Sequence, residues 1–272
     1  MNVVEGLYKR IETLRNDFLN GSSAIALNAL DIVTAAIDLN VDDNDKFPSQ
    51  IAKMIKESKP AMAAVSTICD YALNDYQHNR PKVTKYFSIE VREKMFRAGE
   101  DTVQNAYERL FSSDDDLYRI ATCSFSTNVM KLLRLADKRG KRIKVYIIKS
   151  IWNQRDYSTV LAYELGQSGI LSKIVNLVEF ANYRDNIDFC IIGSDGYDSS
   201  NNLVNGLPSK AFAELALGHT PFYAIAESFK KIDTLKADDG FDFVDFQYVS
   251  DILSDNENWN VAKTHKQLVN QA

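Results

Sequence analysis

The chain is short of the residues that build metal sites and disulfide frameworks: it carries three cysteines and three histidines in 272 residues. Cys69, Cys123 and Cys190 are widely spaced and odd in number, and His78, His219 and His265 are equally scattered. That pattern excludes a zinc site of ordinary Cys/His spacing and points to a reduced, cytoplasmic chain; no metal and no cofactor are expected. No run of about 18 apolar residues occurs, which excludes a transmembrane helix. The opening MNVVEGLYKRIETLRND is charged too early and too often to read as a signal peptide. A strong excess of one charge is missing too. The net charge of −5 offers no bulk attraction to nucleic acid or to an anionic membrane, so neither is expected as a direct partner. The one dense basic run, KRGKRIK at 138–144, falls between a helix-like and a strand-like segment and reads as a solvated turn.

What is present has two rhythms. The first 110 or so residues run helix after helix. SSAIALNALDIVTAAIDL (22–39) follows Gly21 with candidate N-cap serines and repeats Ala26, Leu30, Val33 and Ile37 at helical spacing. SQIAKMIKES (49–58) ends before Pro60, which is expected in the first turn of the next helix, AMAAVSTICDYALND. SIEVREKMFRAGEDTVQNAYERLF (88–111) is another long amphipathic stretch, so four or five helices form an N-terminal unit. From about residue 117 the segments shorten: LYRIATC (117–123), IKVYII (143–148), KIVNLV (173–178), DFCIIG (188–193) and PFYAIA (221–226) are apolar and often β-branched. Helix-like stretches at 126–139, 157–169 and 209–219 alternate with them. Alternation of this kind predicts parallel strands joined by helical crossovers, hence an α/β fold. The expected organisation is a helical domain over 1–114 and a Rossmann-like, doubly wound parallel sheet over 115–272.

In an open parallel sheet, ligands bind beyond the carboxyl ends of the strands. The residues there are Cys123, Ser124 and Ser126 after the first strand, Lys149 and Ser150 after the second, Ser194, Asp195 and Gly196 after the fourth, and Glu227 and Ser228 after the last. Two carboxylates and several hydroxyls then converge on one rim. Against this stands the plainer reading that Ser and Asp at such places cap helices and satisfy loop backbone.

Seven stretches, in order, resemble the signatures of one family. PFYAIAESFK (221–230) is close to a strand followed by AES[FY]K. GSDG (193–196), with VNG (204–206) after it, resembles GAD or GAEG followed by an Asn-containing segment. IATCSFSTNVMKLL (120–133) resembles an ILTHxxS strand and helix, and KRGKRIKVYIIKS (138–150) a GKxxxVYVTES strand. NDFLNGSSAIALNAL (16–30) resembles a Gly-Ala/Ser helix start that brings in Gly21 and Ser22, KESKPAMAAV (56–65) an xxRPTMA segment, and FDFVDFQYVSDIL (241–253) a C-terminal segment. Together these resemble the α, β and δ regulatory subunits of eukaryotic translation initiation factor 2B. The same family includes the ribose-1,5-bisphosphate and methylthioribose-1-phosphate isomerases.

The resemblance implies a homodimer or larger assembly, a phosphorylated sugar or nucleotide as ligand, and other initiation-factor subunits as partners. Asp195 falls on the isomerases' catalytic aspartate. Ser124 falls on their cysteine, with Cys123 one residue earlier. Serine is a far weaker acid than cysteine. The chain also has Ile148–Trp152 in place of TESRP and Asn205-Gly206-Leu207-Pro208-Ser209 in place of NKxGT, losing an acid, an arginine and a lysine. Lys149, Arg155 and Lys210 are the nearby cations that would have to replace them. Three readings follow. The first is a regulatory or assembly protein with a ligand pocket formed by Gly21, Ser22, Ser126, Ser150, Ser194, Gly196, Asn205, Glu227 and Ser228. The second is an aldose-ketose isomerase using Asp195 with Cys123 or Ser124. The third is a relative without ligand, in which Asp195 caps a turn.

Overall fold

The computed structural model describes residues 3–18, 20–39, 46–79, 84–112 and 117–255, the side chains of 78, 79 and 84–86 apart. The boundary expected between 114 and 115, and His265, lie outside the described residues. Five helices come first: α1 (Val3–Arg15), α2 (Ser22–Asp38), α3 (Lys46–Ser58), α4 (Ala63–Asn79) and α5 (Thr84–Leu110). Helix α2 is apolar almost all round and is correspondingly buried, from Ile25 and Ala26 to Ala36 and Ile37. Its alanines keep the surface shallow, so neighbouring helices approach closely. Pro60 is not in a helical turn as expected. A bond from the Met62 amide to the Lys59 carbonyl (3.1 Å) closes a separate turn, and α4 opens at Ala63.

The second half runs β1 (Tyr118–Cys123), α6 (Thr127–Lys138), β2 (Ile143–Ile148), a small hairpin of β3 (Ile151–Trp152) and β4 (Arg155–Asp156), then α7 (Tyr157–Gln167), β5 (Leu171–Val175) and α8 (Leu177–Tyr183). It continues through β6 (Phe189–Gly193), β7 (Gly196–Tyr197), β8 (Leu203–Gly206), α9 (Ser209–Ala216), β9 (Phe222–Ile225), β10 (Phe241–Val244) and β11 (Asp251–Leu253). The fifth strand begins earlier than the expected KIVNLV, at Leu171. Asn176 and Glu179 form a reciprocal capping box that turns the rest of that apolar run into α8.

The main sheet is all parallel and six-stranded, in the order β11-β9-β6-β1-β2-β5. Helices α6 and α7, with the end of α5, cover one face, and α8 and α9 the other. Winding proceeds outward from β1 through β2 to β5, returns to β6, and proceeds the other way to β11. Connections therefore leave β1 and β6 in opposite directions, and a crevice opens beyond their carboxyl ends. Ser124 and Asp195 follow those two strands. A second, antiparallel sheet β10-β8-β7 closes over the crevice from one side. The helical unit closes it from the other.

Candidate functional site

Asp195 is held by its backbone before its side chain does anything. Its amide donates to the Val204 carbonyl of β8, and its carbonyl accepts from the Ala63 amide, both at 2.8 Å. The second bond satisfies an amide in the first turn of α4 that has no partner within the helix, so the helical unit and the sheet are pinned together at this residue. Gly196 permits the approach, because a Cβ there would lie 2.9 Å from the Ala63 methyl.

The crevice is a cavity of about 310 Å³ between the two units. Asp195 lies in its wall with Ser22 and Gly21 of the α2 start, Ser124, Phe125, Ser150, Tyr157 and Gly206. The two-residue turn of the hairpin, Asn153 and Gln154, has φ of +47° and +62°. It carries Trp152 onto Phe18, ring centroids 5.4 Å apart. The Tyr157 hydroxyl donates to the Phe18 carbonyl at 3.3 Å. Lys59 is buried, donates to the Asp17 carbonyl at 2.6 Å, and stands 4.4 Å over the Phe18 ring. Burial lowers the Lys59 pKa, against the pull of Asp17 and Asp238.

Electrostatically the cavity is acidic. Asp17, Asp195, Asp238 and Asp239 line it against Arg15 and Lys59. Desolvation pushes the Asp195 pKa up, and Glu227 and Asp238 push the same way; Lys230 and the Ser22 hydroxyl draw it back only in part. A carboxyl whose pKa is raised in this way keeps its proton to higher pH than an exposed one and can pass it to a neighbour. Burial also raises the Tyr157 pKa, with Asp195 adding to it.

The expected sulfur is not at this site. Cys123 is 1% exposed, its Sγ lies 3.3 Å from Ser209 Oγ, and burial pushes the thiol up to about 12. It packs with Cys190 and Phe212 under α9, among the apolar residues of that face of the sheet. Ser124 stands in the cavity instead, in the left-handed conformation (φ +62°), against Gly206, where an added Cβ would come within 2.6 Å of its Oγ. The one-residue difference is geometric: successive residues at a strand end face opposite sides.

The remaining residues divide. Ser150 lines the cavity, with its hydroxyl spent on the Leu207 carbonyl. Ser126, Ser194, Asn205 and Glu227 line a second cavity of about 240 Å³ on the other side of Asp195, sharing Gly21, Ser22 and Phe125 with the first. Within it Ser194 bonds the Gly196 carbonyl at 2.8 Å and Asn205 bonds Ser209 at 2.8 Å. Ser126 caps α6. Gly196 and Ser228 line neither cavity; Ser228 is tied to Asp255 through its amide (2.7 Å) and hydroxyl (2.5 Å). Glu227 accepts from Ser23 Oγ at 2.8 Å and pairs with Lys230 at 2.8 Å. Burial works to raise its pKa, but Lys230 and the hydrogen bonds win and the net shift is downward.

Of the replacement cations, Lys149 and Lys210 are exposed and line neither cavity, and Arg155 lies 5.9 Å from the Phe18 centroid, outside the lining. The buried cation of the first cavity is Lys59, at the arginine of the xxRPTMA segment. The sequence reading passed over it, although that alignment was the signal that could have found it. Tyr157 and Asp238 were likewise missed as lining residues, since only tertiary geometry brings them in.

Comparison with known proteins places this geometry. The model of the Initiation factor 2 subunit family matches residues 19–270. The chain is 25% identical over 241 residues to a putative translation initiation factor eIF-2B subunit 2-like protein of Pyrococcus horikoshii, covering 86% of this chain and 83% of that one. Among solved structures, it resembles the P. horikoshii OT3 translation initiation factor eIF-2B with TM-score 0.79 at 22% identity, over 92% of this chain and 95% of that one. It resembles a chain of the tetrameric eIF2B-beta2-delta2 complex from C. thermophilum with TM-score 0.78 at 11% identity, over 100% and 96%. The 5-methylthioribose 1-phosphate isomerase of P. horikoshii OT3 aligns with TM-score 0.64 at 16% identity, over 98% and 88%.

Proposed function

The chain belongs to the Initiation factor 2 subunit family, and we propose that it acts there as a regulatory or assembly subunit whose crevice binds a ligand without isomerising it. One observation carries the reading: Cys123 is turned into the core, while Ser124 occupies the cavity beside Asp195. Proton transfer between adjacent sugar carbons needs a second group to complement the acid, and a serine hydroxyl neither gives nor takes a proton readily at neutral pH. The ligand is a phosphorylated sugar or nucleotide. Trp152 and Phe18 offer an apolar wall for a sugar or base face, and the carboxylates offer acceptors for hydroxyls. A phosphate is tolerated in this cavity only near Lys59, since carboxylates outnumber cations elsewhere in the lining.

Assembly with like chains or other subunits is part of the same reading. Val160 and Tyr163 on α7, Leu171 and Ile174 on the edge strand β5, and Val178 on α8 are all exposed. Apolar side chains gathered at one sheet edge favour burial against another chain. Light scattering at micromolar concentration is expected to show a dimer or larger species; a monomer counts against assembly.

Phosphorus NMR of the protein incubated with ribose 1,5-bisphosphate and methylthioribose 1-phosphate tests the catalytic half. Spectra without ketose-phosphate resonances are expected, together with a saturable change in Trp152 emission that Trp152→Phe abolishes. Ketose-phosphate resonances that vanish in Asp195→Asn would replace this reading with the isomerase.

A further inference from the structure

The basic run KRGKRIK takes no part in the crevice. It forms the turn between α6 and β2, at the amino ends of the strands and so at the opposite end of the sheet from the cavity. Five of its seven residues are cations and none is a carboxylate. The fold adds Arg119 to them: the Tyr118 amide donates to the Arg142 carbonyl at 2.8 Å, and Arg119 is the register partner of Lys144. Arg119, Lys138, Arg139 and Arg142 are exposed, and Lys141 and Lys144 half-exposed. The carboxylates nearby are otherwise engaged or unpaired with the run. Asp188 accepts from the Arg119 amide at 2.6 Å, Glu108 accepts from Gln104, and no ion pair among the described residues joins Asp137 to a cation of the patch.

A basic run is ordinarily a solvated face with freely moving side chains. This one is held. The Arg139 guanidinium lies 4.3 Å over the Tyr107 ring centroid and donates to Gln104 Oε1 at 2.8 Å. Tyr107 stacks on Phe111 with centroids 5.4 Å apart, Phe111 tilts against Tyr118 at 4.9 Å, and Lys141 stands 5.7 Å over Tyr118. Lys144 stands 5.2 Å over Tyr146. An aromatic spine from α5 into β1 and β2 thus fixes three cations before any partner arrives, which lowers the ordering cost of binding. An arginine plane laid on a ring also keeps its other face for solvent, and unstacked nucleobases pack on such planes.

We propose that this patch binds single-stranded nucleic acid, with Arg119, Lys138, Arg142 and Lys144 on backbone phosphates and a base stacked on the outer face of Arg139. The net charge of −5 gives the chain no bulk attraction to a polyanion, and the patch supplies that attraction locally. An acidic protein segment would use the charges and leave the Arg139 plane idle. The proposal goes beyond the ligand and assembly readings and depends on neither.

The test is fluorescence anisotropy of the whole chain with a labelled single-stranded RNA of about 15 nucleotides. Wild type should bind saturably. Contact with about four phosphates gives log K a slope of about −2.8 against log salt, so a rise from about 50 to 200 mM should weaken binding roughly fiftyfold. Lys138→Gln/Arg142→Gln should flatten that slope by about half. Arg139→Lys keeps the charge and removes the plane, so it should keep the slope and lose about fivefold or more in affinity. The substituted side chains are exposed, and melting temperatures should match wild type. No saturable change up to about 100 μM protein at low salt, an unaltered slope in the double variant, or wild-type affinity in Arg139→Lys overturns the proposal. Polyglutamate that displaces the RNA as well as unlabelled RNA does also overturns it, by giving the patch to an acidic protein segment. Binding that emerges only in Asp114→Asn/Asp115→Asn/Asp116→Asn overturns it too, by giving the patch to the chain's own acids.

Discussion

Removing Lys230 tests how the buried charges are balanced. Its side chain is 7% exposed and that of Glu227 4%, and the two pair at 2.8 Å in the wall of the second cavity. Lys230→Met keeps the length and apolar stem of the side chain and deletes the cation. Glu227 then keeps only Ser23 and backbone as partners, and Asp195 loses its main stabilising charge. Leaving one half of a buried pair uncompensated costs about 3 kcal/mol or more. In a chain of this size that is a fall of roughly 6 °C in melting temperature. The sign with pH is fixed by the direction of the shifts. In the wild type the Glu227 pKa is depressed, so its contribution is present above the unfolded value and lost as pH falls through the folded one. In the variant, burial dominates and the pKa is raised, so the penalty is present above the folded value and relieved as pH falls through it. The gap between the two proteins should therefore narrow on acidification from about pH 8 to about pH 5. The double variant Lys230→Met/Glu227→Gln should regain most of the loss at neutral pH. Thermal melts followed by circular dichroism across that range measure all of this. A variant as stable as wild type, or a deficit that grows on acidification, would refute the account.

Three further outcomes are expected. Asp195→Asn should melt at or above the wild-type temperature at neutral pH, because a folded pKa raised by burial means the ionised form is disfavoured there; the difference should vanish as pH falls through the folded pKa, and a large loss of stability at neutral pH would contradict it. Cys123 should resist iodoacetamide in the native protein at neutral pH, since a thiol held at about 12 and 1% exposed has almost no thiolate and no access; mass spectrometry showing rapid labelling of Cys123 ahead of unfolding would disprove its placement. Gly206→Ala, whose new methyl would sit 2.6 Å from Ser124 Oγ, should destabilise by about 1–3 kcal/mol in denaturant titration. Ser124→Gly added to it should restore much of that, as it removes the hydroxyl and relieves a left-handed backbone (φ +62°).

The alternation of helical and strand periods along the chain was by itself enough to predict an α/β fold with a parallel sheet, and the strand-end rule led to Asp195 and Ser124 as the residues to examine. Both follow from local physics: side-chain periodicity encodes which face is buried, and a small residue after an apolar strand encodes where the chain must turn. Strands of two to four residues such as β7, β8 and β10 carry too little pattern to be seen, which hid the sheet that closes the crevice. Tertiary structure alone decided that Cys123 faces Ser209 while Ser124 faces the cavity, because the direction of a side chain at a strand end depends on where the strand stops. It also decided the charges of the site. Lys59, Asp238 and Trp152 are far apart in the chain, and they line one cavity only because the turn before α4, the β9–β10 segment and the β3–β4 hairpin meet over the point where the sheet reverses.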